Sequence, residues 1–168
     1  MESNSWTLGS GDWPNGGEID IIEGVNEDRF DHMVLHTSDG CVTDNTGFTG
    51  TLRTSNCYVN APGQDANAGC GIESTDPNSY GSGFNSIGGG IYATEITSSG
   101  INIWFFPRGT EPGDVLGDNP NPAGWGTPAA KFSGSGCDWE GKFNAQRLVC
   151  SIFSATPGVE NRNILMTA

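Results

Sequence analysis

Glu18-Ile19-Asp20-Ile21-Ile22-Glu23 places three carboxylates among three isoleucines, with Gly16-Gly17 before the run and Gly24 after it. Isoleucine is β-branched and favours the pleated backbone, and the flanking glycines hold the segment to strand length, so the run is predicted to be a short β-strand. Side chains two apart share a strand face, which aligns Glu18 with Asp20. Glu23 lies five positions after Glu18 and belongs to the opposite face of a regular strand. One extra residue absorbed in a β-bulge near Ile21-Ile22 returns it to the acidic face, and that bulge is the geometry expected here.

Like charges this close on one face destabilise an ordinary strand. Catalysis accounts for the arrangement, because a retaining glycosidase needs one ionised carboxylate as nucleophile and one protonated carboxyl as general acid, then base. A third acid between them couples to both and sets which group keeps its proton. A solvated acidic edge or a divalent-cation patch is the competing reading of these six residues.

The wider segment Trp13-Pro14-Asn15-Gly16-Gly17-Glu18-Ile19-Asp20-Ile21-Ile22-Glu23-Gly24-Val25-Asn26 resembles the active-site signature of glycoside hydrolase family 16, most closely its fungal laminarinase-type endo-1,3(4)-β-glucanases. Ser5-Trp6-Thr7-Leu8-Gly9, Val34-Leu35-His36-Thr37, Asn67-Ala68-Gly69-Cys70-Gly71-Ile72, and the stretches 90–93 and 104–109 are similar to that group in order and approximate spacing. The resemblance covers about residues 5 to 149. It implies an all-β fold, a β-jelly-roll sandwich of the concanavalin A-like lectin and glucanase type, with an extended β-glucan crossing the concave sheet. It also implies Glu18 as nucleophile, Glu23 as acid/base and Asp20 as the group holding the nucleophile's proton balance. Trp6 and Trp13 match positions that line the substrate cleft. His36, in its Leu-His-Thr setting, is expected near the acids, bonded to the nucleophile or to a sugar hydroxyl.

Composition agrees with an all-β chain. The 26 glycines and 9 prolines among 168 residues, with short hydrophobic runs and no amphipathic helix of three turns, point to many strands joined by turns. A net charge of −13 speaks against nucleic-acid and anionic-membrane partners, which need a basic face, and leaves a neutral glucan unopposed. No run of about 18 apolar residues is present to span a membrane. Cys41, Cys57, Cys70, Cys137 and Cys150 lack the C-x-x-C spacing of zinc or redox sites, and the first three lie in an acidic, loop-rich stretch that suits disulfides of an extracellular protein. Met1-Glu2-Ser3-Asn4-Ser5 does not resemble a secretory leader. Five is odd, so at least one cysteine lacks an internal partner, and several pairings remain open. No cofactor and no metal site is implied, although some relatives in the family bind calcium. A monomer is expected.

Along the chain, His32 to Thr37 alternates as a half-buried strand paired with the acidic one, and His32 carries no family-like support. Residues 38 to 90 read as disulfide-pinned loops over the cleft, with one strand-like patch at 47–53. Ile91–Thr97 and Ile101–Phe106 form a hairpin whose second strand is apolar on both faces and therefore internal. The segment 113–128 is a turn-rich loop carrying Trp125. The expected organisation is a catalytic domain over 1–149, short of its first strands, and a divergent tail over 150–168. Charge shifts there too: residues 1–130 carry 3 basic and 17 acidic side chains, and 131–168 carry 4 and 3. An incomplete sandwich of this kind is expected to be a weak or inactive enzyme. The alternatives to glucan hydrolysis are a catalytically silent glucan-binding module and an inactive truncated gene product.

Overall fold

A computed structural model describes residues 2–25, 27–153 and 164–167. Its strands, numbered in chain order, build two sheets. The six-stranded sheet runs β4(Thr51–Thr54), β5(Cys70–Glu73), β3(His32–His36), β2(Glu18–Ile22), β1(Glu2–Leu8), β9(Arg147–Phe153). The four-stranded sheet runs β10(Ile164–Thr167), β6(Gly90–Thr97), β7(Gly100–Pro107), β8(Ala130–Ser133). Helix is confined to α1(Gly81–Ser86), α2(Trp139–Lys142) and one 3-10 turn at Pro122–Gly124 among the described residues.

Alternation decides what lies between the sheets. Ile19 and Ile21 of β2, Met33 and Leu35 of β3, Cys70 and Ile72 of β5 meet Tyr92 of β6, Ile101 and Ile103 of β7 and Phe132 of β8 in one buried cluster. The inner side of the six-stranded sheet thus takes the aliphatic half of each strand, and its outer side is left with Glu18, Asp20, His32, Val34 and His36. β7 lies between β6 and β8, as expected of a strand apolar on both faces. Its second face, Trp104 and Phe106, packs with Ile91 and Ala93 under Val115 and Trp125 of the 110–128 loop.

The bulge falls where the acidic pattern needs it. Trp6 pairs with Asp20 while Ser5 pairs with Ile22, so Ile21 is the extra residue. Ile21 is fully buried and Ile22 packs partly against the same core, so two successive isoleucines face inward and Glu23 returns to the side of Glu18 and Asp20.

Two regions differ from the sequence expectation. The 38–90 stretch holds β4, β5 and α1 rather than one patch. β5 was illegible because Cys-Gly-Ile-Glu is too short and too glycine-marked to show a period, and its strand state depends on pairing to β3 and β4. The boundary expected after Val149 falls inside β9, which pairs with β1 from Leu8↔Arg147 to Glu2↔Phe153. Beyond it β10 pairs in parallel with β6, from Ile164↔Tyr92 to Thr167↔Glu95, so strands continue where none were expected. Disulfides join Cys41 to Cys137 and Cys57 to Cys70, and Cys150 is free. Closing loops of 96 and 13 residues is worth on the order of 3–5 kcal/mol each in the chain-entropy account.

Candidate active site

The site grows from three adjacent strands. β2 supplies Glu18, Asp20 and, just past its end, Glu23; β3 supplies His36, directly opposite Glu18; β1 supplies Trp6, directly opposite Asp20. The two longer glutamates flank the shorter aspartate on one face. Asp20 is 8% exposed and His36 is 7% exposed, so this central pair sits below the rim formed by the glutamates and Trp6.

His36 does not bond Glu18, although the two are paired in register. Its Nε2 reaches diagonally to Asp20 Oδ2 at 3.2 Å. Its Nδ1 is buried without a hydrogen-bond partner among the described residues, and it faces Gly69. Gly69 adopts φ +62, and a Cβ there would lie 2.8 Å from Nδ1 and 2.4 Å from the Leu35 carbonyl oxygen. Only glycine fits that spot without displacement, and the Cys57–Cys70 disulfide anchors the loop that delivers it.

Trp13 arrives on the Asp12–Gly17 turn, closed by Asn15 N–H to Asp12 O at 2.9 Å and Gly17 N–H to Pro14 O at 3.0 Å. The turn is tied to β1 by Gly9 N–H to Gly17 O at 2.9 Å, and Gln146 donates to Gly16 O at 2.8 Å. At Gly9 a Cβ would lie 1.8 Å from that Gly16 oxygen, so the backbones approach as only a glycine permits. Thus seated, the Trp13 indole N–H donates to Glu18 Oε2 at 2.5 Å, with its ring 6.3 Å from that of His36. Trp13 remains 49% exposed, an aromatic face open to solvent beside the acids. A cleft of about 310 Å³ adjoins it, lined by Leu8, Gly9, Gly11, Trp13 and Glu18 among others.

Electrostatics couples the group. Burial raises the Glu18 carboxyl above its ordinary range and the Asp20 charge raises it further, while the Trp13 hydrogen bond and His36 pull it down. Burial likewise raises Glu23, with Asp20 adding and His36 opposing. For His36, burial lowers the imidazole, but the Asp20 hydrogen bond and the charges of Asp20, Glu18 and Glu23 outweigh it and the net direction is upward. The asymmetry lies in the hydrogen bonds: Glu18 accepts one that favours its ionised form, and none of that kind reaches the Glu23 carboxyl among the described residues.

Every residue singled out in the sequence, Trp6, Trp13, Glu18, Asp20, Glu23 and His36, therefore lies on this one face. His32, which had no support, joins the same face further out, 3.4 Å from Glu73 Oε2, with Arg53 also bonded to Glu73. Sequence reasoning missed Gly69 and the residues that hold the Glu23 backbone. Asp31 accepts the Glu23 N–H at 2.9 Å, and Tyr80 donates to Gly24 O at 3.0 Å. No group of three or more metal-binding side chains is assembled among the described residues, and no helix there is long and apolar enough to cross a membrane. A second cavity of about 260 Å³ lies by Trp104, Trp125 and Asp76. Its tryptophans are almost wholly covered, which leaves no ring face for a sugar.

Comparison with known proteins places this geometry. Over 146 residues the chain is 45% identical to a probable glycosidase of Schizosaccharomyces pombe, covering 86% of this chain and 34% of that protein. It is equally 45% identical to an endo-1,3(4)-beta-glucanase of Arthroderma benhamiae, covering 86% and 32%. Among solved structures it is similar to laminarinase 16A from Phanerochaete chrysosporium with β-glucans (6-O-glucosyl-laminaritriose) in both donor and acceptor sites. That match has TM-score 0.81 and 42% identity, covering 89% of this chain and 51% of the laminarinase, so the fold is that of the jelly-roll laminarinases. The chain spans about a third of the length of these curated relatives and about half of the laminarinase structure. The XgeA-like catalytic GH16 domain matches residues 3–155, and the chain belongs to that family.

Proposed function

We propose that the face built by β1, β2 and β3 is the catalytic centre of a retaining endo-β-glucanase acting on β-1,3-glucans and mixed β-1,3/1,4-glucans. The observation that carries this reading is the Ile21 bulge, which gathers Glu18, Asp20 and Glu23 on one face beside an exposed tryptophan. Glu18, ionised with help from the Trp13 N–H, is the nucleophile. It attacks the anomeric carbon, the glycosidic bond breaks, and the leaving oxygen takes the proton of Glu23. Glu23, now a carboxylate, draws a proton from water, whose oxygen displaces Glu18 and releases the sugar with its configuration retained. Asp20, held by His36 between the two glutamates, is the group that holds the nucleophile's proton balance. Burial, and Asp20 after it, raises the Glu23 carboxyl and so favours its keeping the proton until the leaving group takes it. Trp6 and Trp13 supply the aromatic surface on which glucose rings stack.

The substrate assignment draws on the relatives, whose names specify 1,3(4)-β-glucans and laminari-oligosaccharides. Two disulfides fit action in an oxidising, extracellular setting. Release of new reducing ends from laminarin and lichenan, with binding measured in parallel, tests the reading. Mixed oligosaccharides early in digestion are expected. Binding without any release would replace it with the silent glucan-binding module, and glucose alone from chain ends would remove the endo assignment.

A further inference from the structure

Asp31 is a carboxyl group with no exposure and no ion pair to any described cation. Its Oδ1 accepts the Glu23 N–H at 2.9 Å, while the next residue, His32, donates its N–H to Glu23 O at 3.0 Å. The backbone of Glu23 is thus gripped from both sides by residues 31 and 32. Asp31 is itself fixed by its own N–H to Ser79 Oγ at 3.0 Å and by Ser74 N–H to its carbonyl at 2.9 Å.

The other oxygen, Oδ2, has no hydrogen-bond partner among the described residues. The Tyr92 hydroxyl lies near enough to the Asp31 carboxyl for each to perturb the other. That hydroxyl has one proton, and it is committed to Ser79 O at 2.5 Å. Tyr92 therefore offers Asp31 only a lone pair. A carboxylate oxygen there meets repulsion and bears the cost of an unpaired buried charge, whereas a protonated Oδ2 becomes the missing donor. Burial pushes the Asp31 carboxyl well above the ordinary range and outweighs the backbone N–H groups of Glu23 and His32, which lower it; a hydrogen bond from Tyr92 would lower it too, but the Tyr92 proton lies on Ser79 O.

We propose that Asp31 is a positioning residue for Glu23, a neutral carboxylic acid whose Oδ1 holds the Glu23 N–H and whose Oδ2–H is directed at the Tyr92 hydroxyl. This rests on the assignment of Glu23 as acid/base. The chain Asp31, Tyr92, Ser79 carbonyl ties the end of β2 to β6 of the other sheet, so the reach of the Glu23 side chain is set by the core as well as by its own strand. The ionisable groups around Glu23 and Asp31 are Glu18 and Asp20 on β2, His36 on β3, Tyr92 on β6 and Asp76 in the 74–80 loop. No described cation takes the place of the Asp31 proton.

The test compares Asp31→Asn, which keeps an acceptor at Oδ1 and a donor towards Tyr92, with Asp31→Leu, which keeps neither. On laminarin, Asp31→Leu is expected to lower kcat about a hundredfold with KM nearly unchanged, as for an acid displaced by about 1 Å. Asp31→Asn is expected to stay within about threefold of the parent, as conservative rescue of a neutral acid. On a dinitrophenyl β-laminaribioside with azide, whose steps need neither acid nor base, Asp31→Leu is expected to recover most of its turnover, as Glu23→Ala does. Equal loss on both substrates, no loss on either, or Asp31→Asn as impaired as Asp31→Leu would overturn the proposal. Glu23→Ala serves as the control: if it lacks the azide signature, the acid/base assignment fails on its own. The carboxyl carbon shift of Asp31 in the unmodified chain judges the neutral clamp without any variant. It is expected at the protonated position throughout pH 5 to 8, and a carboxylate shift at pH 7 would refute it.

Discussion

The outward faces of the two sheets are built from the same alternation and have opposite fates. On the four-stranded sheet the outward residues Ile91, Ala93, Trp104 and Phe106 are apolar and lie under Val115 and Trp125. The Trp125 ring stands edge-on to Trp104 at 5.2 Å and to Phe106 at 5.9 Å, and its N–H is satisfied by Asp114 at 3.1 Å. On the six-stranded sheet the outward residues are Trp6, Glu18, Asp20, His36 and Glu23, three carboxylates held close together around one imidazole, with Glu18 lining a cleft. One face stabilises the fold by burial. The other keeps a concentration of charge that burial alone would not select.

Substitutions on the two faces should therefore separate activity from stability. The largest effect is expected for Glu18→Gln: glucan hydrolysis falls about 10⁴-fold or more, roughly 5.5 kcal/mol of barrier, while the melting temperature does not fall. The sign of its pH dependence follows from the raised folded-state affinity of Glu18 for its proton. Such a group contributes stability below the ordinary glutamate range and loses it as pH rises through the raised value. Glu18→Gln escapes that loss, so its melting temperature relative to the parent should be higher at pH 7 than at pH 4, and a scan at both values checks it.

Trp125→Ala should do the reverse, with a loss of about 3–5 kcal/mol in denaturant unfolding and kcat per folded molecule within about twofold of the parent. An equal loss of activity per folded molecule would show that the roofed face and the acidic face are not independent.

The legible and illegible parts of the molecule divide along a similar line. β2, β3 and the β6–β7 hairpin could be read because their side chains alternate against a core that lies on one known side, and the bulge could be read because three acids had to share a face. β5 and β10 could not, since four-residue strands show no period and take their state from a neighbour. In the site, the three acids were recoverable because unusual chemistry marks them, and Trp6, Trp13 and His36 through the family resemblance. Gly69 and Asp31 were not, because a glycine in a loop and an aspartate after an acidic turn look ordinary until His36 and the Glu23 N–H are seen against them. Of the two bonds expected of His36, to the nucleophile or to a sugar hydroxyl, the first gives way to one with Asp20, a choice between cross-strand and diagonal neighbours that register alone does not make.

Gly69→Ala probes that choice. A side chain at φ +62 is strained, and its Cβ would drive the imidazole off Asp20, so a loss of about 1–3 kcal/mol is expected. The His36 titration followed by NMR should move down with it, because the Asp20 hydrogen bond opposes the effect of burial. An unmoved titration would mean that the loop yields instead of the ring. The smallest effect belongs to Trp13→Phe, which keeps an aromatic face and removes the N–H that favours ionised Glu18. The acid limb of kcat/KM should shift to higher pH, with less than about tenfold loss at the optimum. A shift to lower pH would contradict the role given to that hydrogen bond.

The acidic face as a covalent catalytic centre is tested most directly by trapping. Incubation with a 2-deoxy-2-fluoro-laminaribiosyl fluoride slows both steps and lets the glycosyl-enzyme accumulate, and intact mass followed by peptide mapping locates the sugar. One fluorinated disaccharide per chain is expected, on the peptide carrying Glu18 and absent from Glu18→Gln. Attachment at Glu23 or Asp20, or continued hydrolysis of laminarin by Glu18→Gln at the parent rate, would contradict it.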